Sequence, residues 1–209
     1  MPWERNQRVE RLWGSSESNI WGVGPWGTIV HYDGKKWKKI DFDTEMYFYD
    51  ISGNKANGIA YAIARNSSHV TKIIELNNES AKIIYNNEKN VNEFGSWTLT
   101  FESGEIYLAD TKIWSFNPIT KEKTTLYKLP YGVGILDISS NSKNDIYYWG
   151  STYQGNDKLI HFNGNRYKVF EMQLISDNHG GSFAVNNMGI RVGFADNKAF
   201  LTMVRRIAK

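Results

Sequence analysis

Hydrophobic and polar residues alternate along this chain in short runs that are bounded by glycine or by small polar residues. Segments such as TIVHY (28–32), KIWSF (112–116) and KLIHF (158–162) are rich in β-branched and aromatic residues, which favour strands. No segment keeps the 3.6-residue spacing of an amphipathic helix. The pattern therefore predicts an all-β protein.

Two parts of the chain repeat each other. SNIWGVG (18–24) matches NDIYYWG (144–150), and TIVHYDGKKW (28–37) matches KLIHFNGNRY (158–167). The matching parts lie about 130 residues apart, which indicates three repeats of about 42 residues each. Asp-Gly and Asn-Gly follow the histidine strand in the two copies and favour tight hairpins.

Weaker copies of the same pattern occupy the rest of the chain and predict a single β-propeller domain over residues 1–209. Five four-stranded blades are expected at residues 8–42, 46–86, 94–129, 133–171 and 180–209. The last copy is one strand short, so residues 2–7 are expected to complete it and to close the ring, which leaves no unpaired sheet edge. The alternative is that the chain is the C-terminal part of a larger propeller.

Composition narrows the function classes. The chain has 209 residues, of which 41% are hydrophobic and 14% aromatic, so a sizeable core is expected. Its net charge of +3 is spread along the chain, which argues against a nucleic-acid partner. The absence of cysteine excludes disulfides, thiolate metal sites and cysteine nucleophiles.

Targeting and cofactor motifs are missing from the sequence. The start, MPWERNQRVE, has no apolar core typical of a signal peptide, and no apolar run reaches the length of a membrane span. No phosphate-binding glycine loop, dinucleotide fingerprint or serine nucleophile motif occurs. We therefore expect no cofactor and a monomer, and the compartment stays open.

The segment LWGSSESNIWGVGPWGTIVHYDGKKWKKI (12–40) resembles the blade repeat of a large group of bacterial β-propellers, many of them exported or lipid-anchored envelope proteins. Their blades follow the pattern I-W-G-S-S-x-x-D-I-W-A-V-G-x-x-G-x-I-x-H-Y-D-G-x-x-W. The resemblance is close over residues 12–40 and fair over 135–170. It implies a propeller fold, a binding or scaffold role and a location in the envelope or outside the cell.

Labels attached to that group do not transfer directly. Some members are labelled glucosyltransferases or two-component-regulator propellers, but no nucleotide-sugar motif occurs in this chain. The repeat is more distantly similar to the Asp-box of sialidase-like propellers, although HYDGKKW (31–37) lacks the serine and threonine of that box. The group supplies no shared catalytic residues for this sequence.

Tryptophan and histidine are conspicuous in the repeats. Five tryptophans in strand positions are expected to pack between blades, because large rings dominate core burial; they are Trp13, Trp21, Trp37, Trp114 and Trp149. Trp26 instead lies in a predicted loop and has no equivalent in the other copies. His31 and His161 are equivalent to each other, and we expect each ring to hydrogen-bond between strands. Metal binding by this pair is not expected, because their blades lie far apart.

Asp50 and Asp137 are the strongest catalytic candidates. Both occupy innermost strands in identical D-I-S contexts, with Trp13 taken as their counterpart in the first copy. Five-bladed glycosidases use carboxylates that converge on the central channel. The favoured interpretation is that each aspartate instead hydrogen-bonds the serine two residues on or a neighbouring strand, as short polar side chains often do.

The function that the sequence favours is a non-catalytic binding module that recognises a protein or a glycan. Its partner would bind the face formed by the loops between the second and third strands of each blade and between successive blades. The candidate contact residues on that face are Trp26, Arg65, His69, Tyr131, Tyr153, Asp157, His179 and Asp196. The alternatives are a glycoside hydrolase or lyase with Asp50 and Asp137 at the channel, and a structural spacer within a larger exported protein.

Overall fold

A computed structural model of the chain describes residues 8–88, 96–129, 132–152, 157–172, 190–195 and 198–203. These residues form four antiparallel four-stranded sheets and one two-stranded hairpin. The predicted all-β fold with four-stranded blades is confirmed. The described residues contain four complete blades, whereas the sequence predicted five; the segment 2–7, predicted to close the ring, lies outside them.

The strands follow one another in chain order within each blade. The first blade contains β1 (Arg11–Ser16), β2 (Asn19–Val23), β3 (Ile29–Tyr32) and β4 (Trp37–Lys39). The second contains β5 (Tyr47–Gly53), β6 (Ala60–Arg65), β7 (Thr71–Asn77) and β8 (Ser80–Asn86). The third contains β9 (Leu99–Glu102), β10 (Glu105–Ala109), β11 (Lys112–Phe116) and β12 (Lys123–Lys128). The fourth contains β13 (Val133–Ser142), β14 (Asp145–Thr152), β15 (Asp157–Phe162) and β16 (Tyr167–Met172), and the hairpin pairs β17 (Ile190–Ala195) with β18 (Lys198–Met203).

The blades pack around a common axis through their first strands. β1 contacts β5, β5 contacts β9, and β9 contacts β13. Three hydrophobic clusters fill the spaces between neighbouring blades. Phe48 belongs to the cluster between the first and second blades, Ile63 to the cluster between the second and third, and Tyr148 to the cluster between the third and fourth. Among the residues described, no helix is long and apolar enough to cross a membrane.

The repeated histidine is part of a contact between the second and third strands. His31 Nε2 lies 2.8 Å from Asn19 Oδ1, and the ring stacks on Trp21 with 4.2 Å between centroids. His161 repeats the arrangement, with Nε2 2.7 Å from Asp145 Oδ1 and a stacked aromatic ring at 4.2 Å. The predicted hydrogen bond between strands is therefore present in both copies.

The hairpin after His31 behaves as its Asp-Gly pair predicts. Asp33 Oδ1 accepts hydrogen bonds from the backbone N–H groups of Lys36 and Lys35, both at 3.0 Å. These bonds lower the pKa of Asp33 to about 2. Gly34 has φ = 88°, a conformation that glycine adopts without steric cost.

The strand register corrects the predicted counterpart of the two channel aspartates. Trp13 pairs with Trp21, as Ser52 pairs with Tyr61, so Trp13 occupies the position of Ser52. Arg11, two residues earlier, therefore occupies the position of Asp50. The prediction was wrong because it placed the first strand of this blade two residues out of register. Trp13 and Trp21 are eight residues apart, as are Ser139 and Tyr147, so Trp13 corresponds to Ser139 and Arg11 to Asp137.

The strand tryptophans differ in burial more than the repeat predicts. Trp21, Trp149 and Trp114 are buried, and Trp13 is partly buried against the cluster around Phe48. Trp37 is 39% exposed, because it lies on the outermost strand of its blade. Its ring packs only against a neighbouring tyrosine of the same blade among the described rings.

Candidate functional site

One face of the propeller, at one end of its axis, carries the loops in which the sequence analysis placed the candidate binding residues. We call this end the loop face; it comprises the described residues of segments 24–28, 40–46, 66–70, 87–98, 110–111 and 129–132. Trp26 is exposed there, whereas Arg65 ends strand β6 and is 9% exposed. His69 follows in the next loop, and Asp157 begins β15. The other four candidates, Tyr131, Tyr153, His179 and Asp196, lie outside the described residues.

Arg65 and His69 belong to one cluster on the loop face. Arg65 Nη2 lies 2.6 Å from His69 Nδ1. Arginine has no acceptor, so Arg65 donates this hydrogen bond and the His69 proton lies on Nε2. The guanidinium of Arg65 stacks 4.2 Å from the ring centroid of Trp97. The two predicted residues are thus brought together over a tryptophan that was not predicted.

Trp97 is the exposed centre of this cluster. Its side chain is 43% exposed, although Arg65 covers one face of the ring. Tyr49 meets Trp97 edge to face with 4.7 Å between centroids, and Tyr47 packs 4.6 Å from Tyr49. The Tyr47 hydroxyl in turn donates to the carboxylate of Glu10. The ring of Trp97 is therefore held in one orientation while remaining accessible, as preorganised binding requires.

A groove of about 830 Å³ begins at Trp97 and runs between the third and fourth blades. Its apolar lining comes from Trp97, Leu129, Val133, Ile135 and Leu136. Leu136 is 49% exposed because it is the extra residue of a β-bulge in β13, where Ile135 pairs with Gly150 and Asp137 with Trp149. Asp110 and Lys128 also line the groove. The groove therefore combines an apolar surface with one charge of each sign.

The position of Trp97 in the sequence carries one signal of its role. Trp97 lies just before β9, between the third blade and the preceding loop, and was counted only as part of a strand-like segment. Its orientation depends on Arg65, which is distant in sequence and lies in the neighbouring blade. A tryptophan outside the alternating positions of a strand marks such a residue, as it does for Trp26.

Asp50 and Asp137 lie close together, joined by a threonine of the blade between them. The Thr98 hydroxyl donates to Asp50 Oδ2 at 2.6 Å and lies 3.3 Å from Asp137 Oδ1. These two carboxylate oxygens are therefore at most 5.9 Å apart, the sum of the two distances to Thr98 Oγ1. One position of the repeat is therefore occupied in four successive blades by Arg11, Asp50, Thr98 and Asp137.

Asp50 is held by hydrogen bonds on both oxygens. Oδ2 also accepts from the Leu99 backbone at 2.9 Å, and Oδ1 accepts from Ile51 at 2.8 Å. Asp137 accepts from its own next residue in the same way, at 2.8 Å. Both aspartates thus accept from the backbone of their own next residue. Asp50 also accepts from Thr98 and Leu99 of the neighbouring blade, which is the bond to a neighbouring strand that the sequence analysis favoured.

Burial affects the protonation of Asp50. Burial raises its pKa, and the hydrogen bonds from Thr98, Leu99 and Ile51 together with the charge of Arg11 oppose this rise without cancelling it. A raised pKa is a property of catalytic acids, but it also follows whenever a carboxyl is enclosed by packing. Asp50 can therefore bind a proton more readily than an exposed aspartate, although both of its carboxylate oxygens already accept hydrogen bonds.

The described residues give no support for a metal centre. No group of three or more histidine, aspartate or glutamate side chains among them is arranged to hold a metal ion. His31 and His161 lie in the first and fourth blades, each bonded within its own blade.

Comparison with known proteins identifies the fold and leaves the family open. No protein-family model matches the chain, and no curated protein matches it in sequence. Solved β-propeller structures do match. The structure titled "YCF48 bound to D1 peptide" aligns over 99% of this chain and 67% of its own, with a TM-score of 0.61 and 13% identity.

Two further structures align comparably. A chain of the structure titled "Crystal Structure of Mitotic Checkpoint Complex" aligns with a TM-score of 0.69 and 13% identity over 97% of this chain. A chain of "Crystal structure of Nidogen/Laminin Complex" aligns with a TM-score of 0.65 and 8% identity over 88%. This protein spans 63% and 71% of those chains respectively. At these identities the similarity shows a β-propeller fold and no more.

Proposed function

We propose that this protein is a non-catalytic interaction module that binds a protein partner through the groove beside Trp97. The observation that carries the proposal is the half-exposed tryptophan, held by Arg65 and Tyr49, at the mouth of an apolar groove. Tryptophan and arginine are the residues most enriched at energetically dominant positions of protein interfaces. The titles of the three similar structures name a bound peptide or a protein complex, which is consistent with such a role.

A protein segment suits the groove better than a sugar. Four aliphatic side chains line it beside Trp97, so a partner would bury apolar side chains there. Sugar binding needs many polar groups around the aromatic ring, because each hydroxyl that loses water must be hydrogen-bonded. Asp110 and Lys128 are the charged residues of the lining, and Thr111, Ser151 and Thr152 add three hydroxyl groups. A glycan of the cell envelope, which the resemblance of residues 12–40 also suggests, is the second ligand class to test.

The spacer alternative predicts a surface with neither a concave site nor exposed aromatic rings. The groove beside Trp97 and the exposure of Trp97 and Trp26 argue against it. The glycosidase alternative is favoured by one observation, the approach of Asp50 and Asp137 to within 5.9 Å, which is near the spacing of retaining enzymes. Thr98 lies between the carboxylates, however, where a sugar would have to enter.

Replacing Trp97 by alanine should weaken peptide binding at least tenfold, which corresponds to about 1.4 kcal/mol. The probes are peptides selected on the wild-type protein from a random displayed library, measured by fluorescence anisotropy. Leu136→Ala should also weaken binding, because Leu136 lines the same groove. Ile119→Ala is the control, since Ile119 is 85% exposed in a loop at the opposite end of the ring.

Equal affinity of the selected peptides for wild type and Trp97→Ala would contradict the proposal. So would failure to select peptides together with Trp97-dependent binding on an array of envelope polysaccharides, which would identify a sugar site instead.

We also propose that the hairpin β17–β18 belongs to a fifth blade over residues 180–209, completed by residues 2–7. The described antiparallel pair β17–β18 supports this assignment. So does the similarity of PWERNQ (2–7) to KWKKID (36–41), which contains the fourth strand of the first blade. Replacing residues 2–7 by glycine and serine should then reduce the free energy of unfolding by about 2 kcal/mol or more, because strand hydrogen bonds and edge packing are lost. Unchanged urea unfolding would contradict closure by this segment and favour the alternative of a larger ring.

A further inference from the structure

Trp26 is presented to solvent by a loop with a fixed conformation. Gly24 N donates to Thr28 O at 3.0 Å, and the Thr28 hydroxyl donates to Pro25 O at 2.6 Å. Within this loop Trp26 has φ = 56° and is 57% exposed. A left-handed conformation costs an L-residue about 1–2 kcal/mol. The loop therefore holds a large ring in water at an energetic cost that packing does not explain.

A second groove lies between Trp26 and the segment that joins the first and second blades. Its volume is about 490 Å³, and residues 39–45 line it together with Trp26 and Gly27. Gly27 N donates to Met46 O at 3.0 Å. An added Cβ at Gly27 would lie only 2.0 Å from Thr44 O, so the two walls are in close contact at this point. The groove is thus a rigid concave surface with Trp26 on one side.

Acidic side chains surround this groove. Asp41, Asp43 and Glu45 are exposed, whereas Ile40 and Met46 are buried. None of the three carboxylates forms an ion pair with a described residue. Lys39 is the single cationic side chain in the lining, so the groove carries a net negative charge in a chain whose total charge is positive.

We propose that the groove beside Trp26 binds a cationic side chain, a lysine or arginine, of the protein partner. A cation over the face of a tryptophan is attracted by the negative charge of the ring face, and the three unpaired carboxylates add attraction of the same sign. An acidic segment would be repelled by them. This inference rests on the proposed function of the loop face and adds the chemistry of one contact.

The two grooves would then hold different parts of one partner. The groove beside Trp97 takes apolar side chains, and the groove beside Trp26 takes a basic one. The segment 40–49 connects them, since it lines the second groove and continues through Tyr47 and Tyr49 to Trp97.

NMR titration of the tryptophan indole N–H signals tests this inference without knowledge of the partner. The Trp26 signal is identified by its loss in Trp26→Phe. The probes are Nα-acetyl-lysine amide and, as a neutral analogue of similar length, Nα-acetyl-norleucine amide. We expect the lysine amide to shift the Trp26 signal to saturation, and the norleucine amide to leave it at least tenfold less affected at equal concentration.

The variant D41N/D43N/E45Q should abolish the lysine-induced shift, and added salt should reduce it. Glu17→Gln is the matched control, because Glu17 is an exposed carboxylate at the opposite end of the ring. Equal shifts from both amides, a shift from methyl glucoside in place of the lysine amide, or no shift from any probe would overturn the inference. The Trp97 signal and the selected peptides report separately on the first groove, so failure at Trp26 is distinguishable from failure of the proposed function.

Discussion

Replacing Asp50 by alanine is expected to lower the free energy of unfolding by about 2–4 kcal/mol. The substitution leaves two backbone donors without their acceptor, the N–H groups of Leu99 and Ile51. It also removes the stronger partner of the Thr98 hydroxyl, which keeps only Asp137 Oδ1 at 3.3 Å. Each buried donor left unsatisfied costs about 1–3 kcal/mol. Relief of the buried charge partly offsets the loss. Urea unfolding measures the change.

The control for Asp50→Ala is Asp43→Ala, which removes an exposed carboxylate and should change stability by less than about 0.5 kcal/mol. Thr98→Val removes the hydroxyl that joins the two blades. A double-mutant cycle between Asp50→Ala and Thr98→Val should give a coupling energy of at least about 0.5 kcal/mol, because the residues are in direct contact. Additive effects would contradict a link between the second and third blades through this bond.

The same variant distinguishes a structural aspartate from a catalytic one. Catalytic residues often lower the stability of a protein, so replacing one often leaves the free energy of unfolding unchanged or raises it. If Asp50→Ala unfolds at the same or a higher urea concentration than wild type, the linking role fails and the glycosidase alternative gains support. A large loss of stability would assign the carboxylate to the fold.

The effect of Asp50 should also depend on pH. Its pKa is raised above the ordinary value of 3.8 in the folded protein, so the folded state binds a proton more tightly than the unfolded state. The resulting stabilisation is fully present below the unfolded pKa and is lost as pH rises through the folded pKa. The stability difference between wild type and Asp50→Ala should therefore be largest in acid and decrease at higher pH. An increase with pH would contradict the raised pKa.

Trp21→Ala should lower the free energy of unfolding by about 3–5 kcal/mol. Trp21 is 1% exposed and stacks on His31 within the cluster between the first and second blades. Removing the ring leaves a cavity in the cluster between the two blades. Trp37→Ala, at a ring that is 39% exposed, should cost less than about 1 kcal/mol.

Trp21→Phe refines the comparison. The indole N–H of Trp21 has no hydrogen-bond partner among the described residues, so phenylalanine removes an unsatisfied donor while it keeps most of the packing. Its cost should be well below that of Trp21→Ala. Equal losses for the alanine and phenylalanine variants would show that packing is not the main role of this ring, as would a small loss for alanine.

The sequence was sufficient for the repeat and for contacts within one blade. Asp33 and Gly34 predicted their hairpin, and the repeated His31 and His161 predicted a hydrogen bond between strands. Each of these side chains contacts a partner in the same turn or on the adjacent strand of its own blade, so local geometry determines the contact. The position of Arg11 beside Asp50 was missed, because the first strand of this blade was aligned two residues out of register, and the strand pairing corrects it. The five-blade count likewise depended on a strand pairing between the two ends of the chain.

The candidate site was only partly predictable for a related reason. Arg65 and Trp26 were predicted as contact residues from the sequence, but Trp97 was not. Its orientation is produced by Arg65 and Tyr49 of the preceding blade, and such contacts between blades leave no periodic pattern in the sequence. Residues at blade junctions therefore need the structure, whereas residues within a hairpin do not.

Hydrogen–deuterium exchange with and without a selected peptide tests the central claim most directly, because it maps the binding surface without prior choice of a residue. We expect slower exchange at residues 96–99, 110–112 and 132–136, which surround the groove beside Trp97. We expect no change at 54–59 and 117–122, the turns at the opposite end of the ring. Protection confined to those turns, or an unchanged pattern at 96–99 on saturation with the peptide, would contradict binding through the loop face.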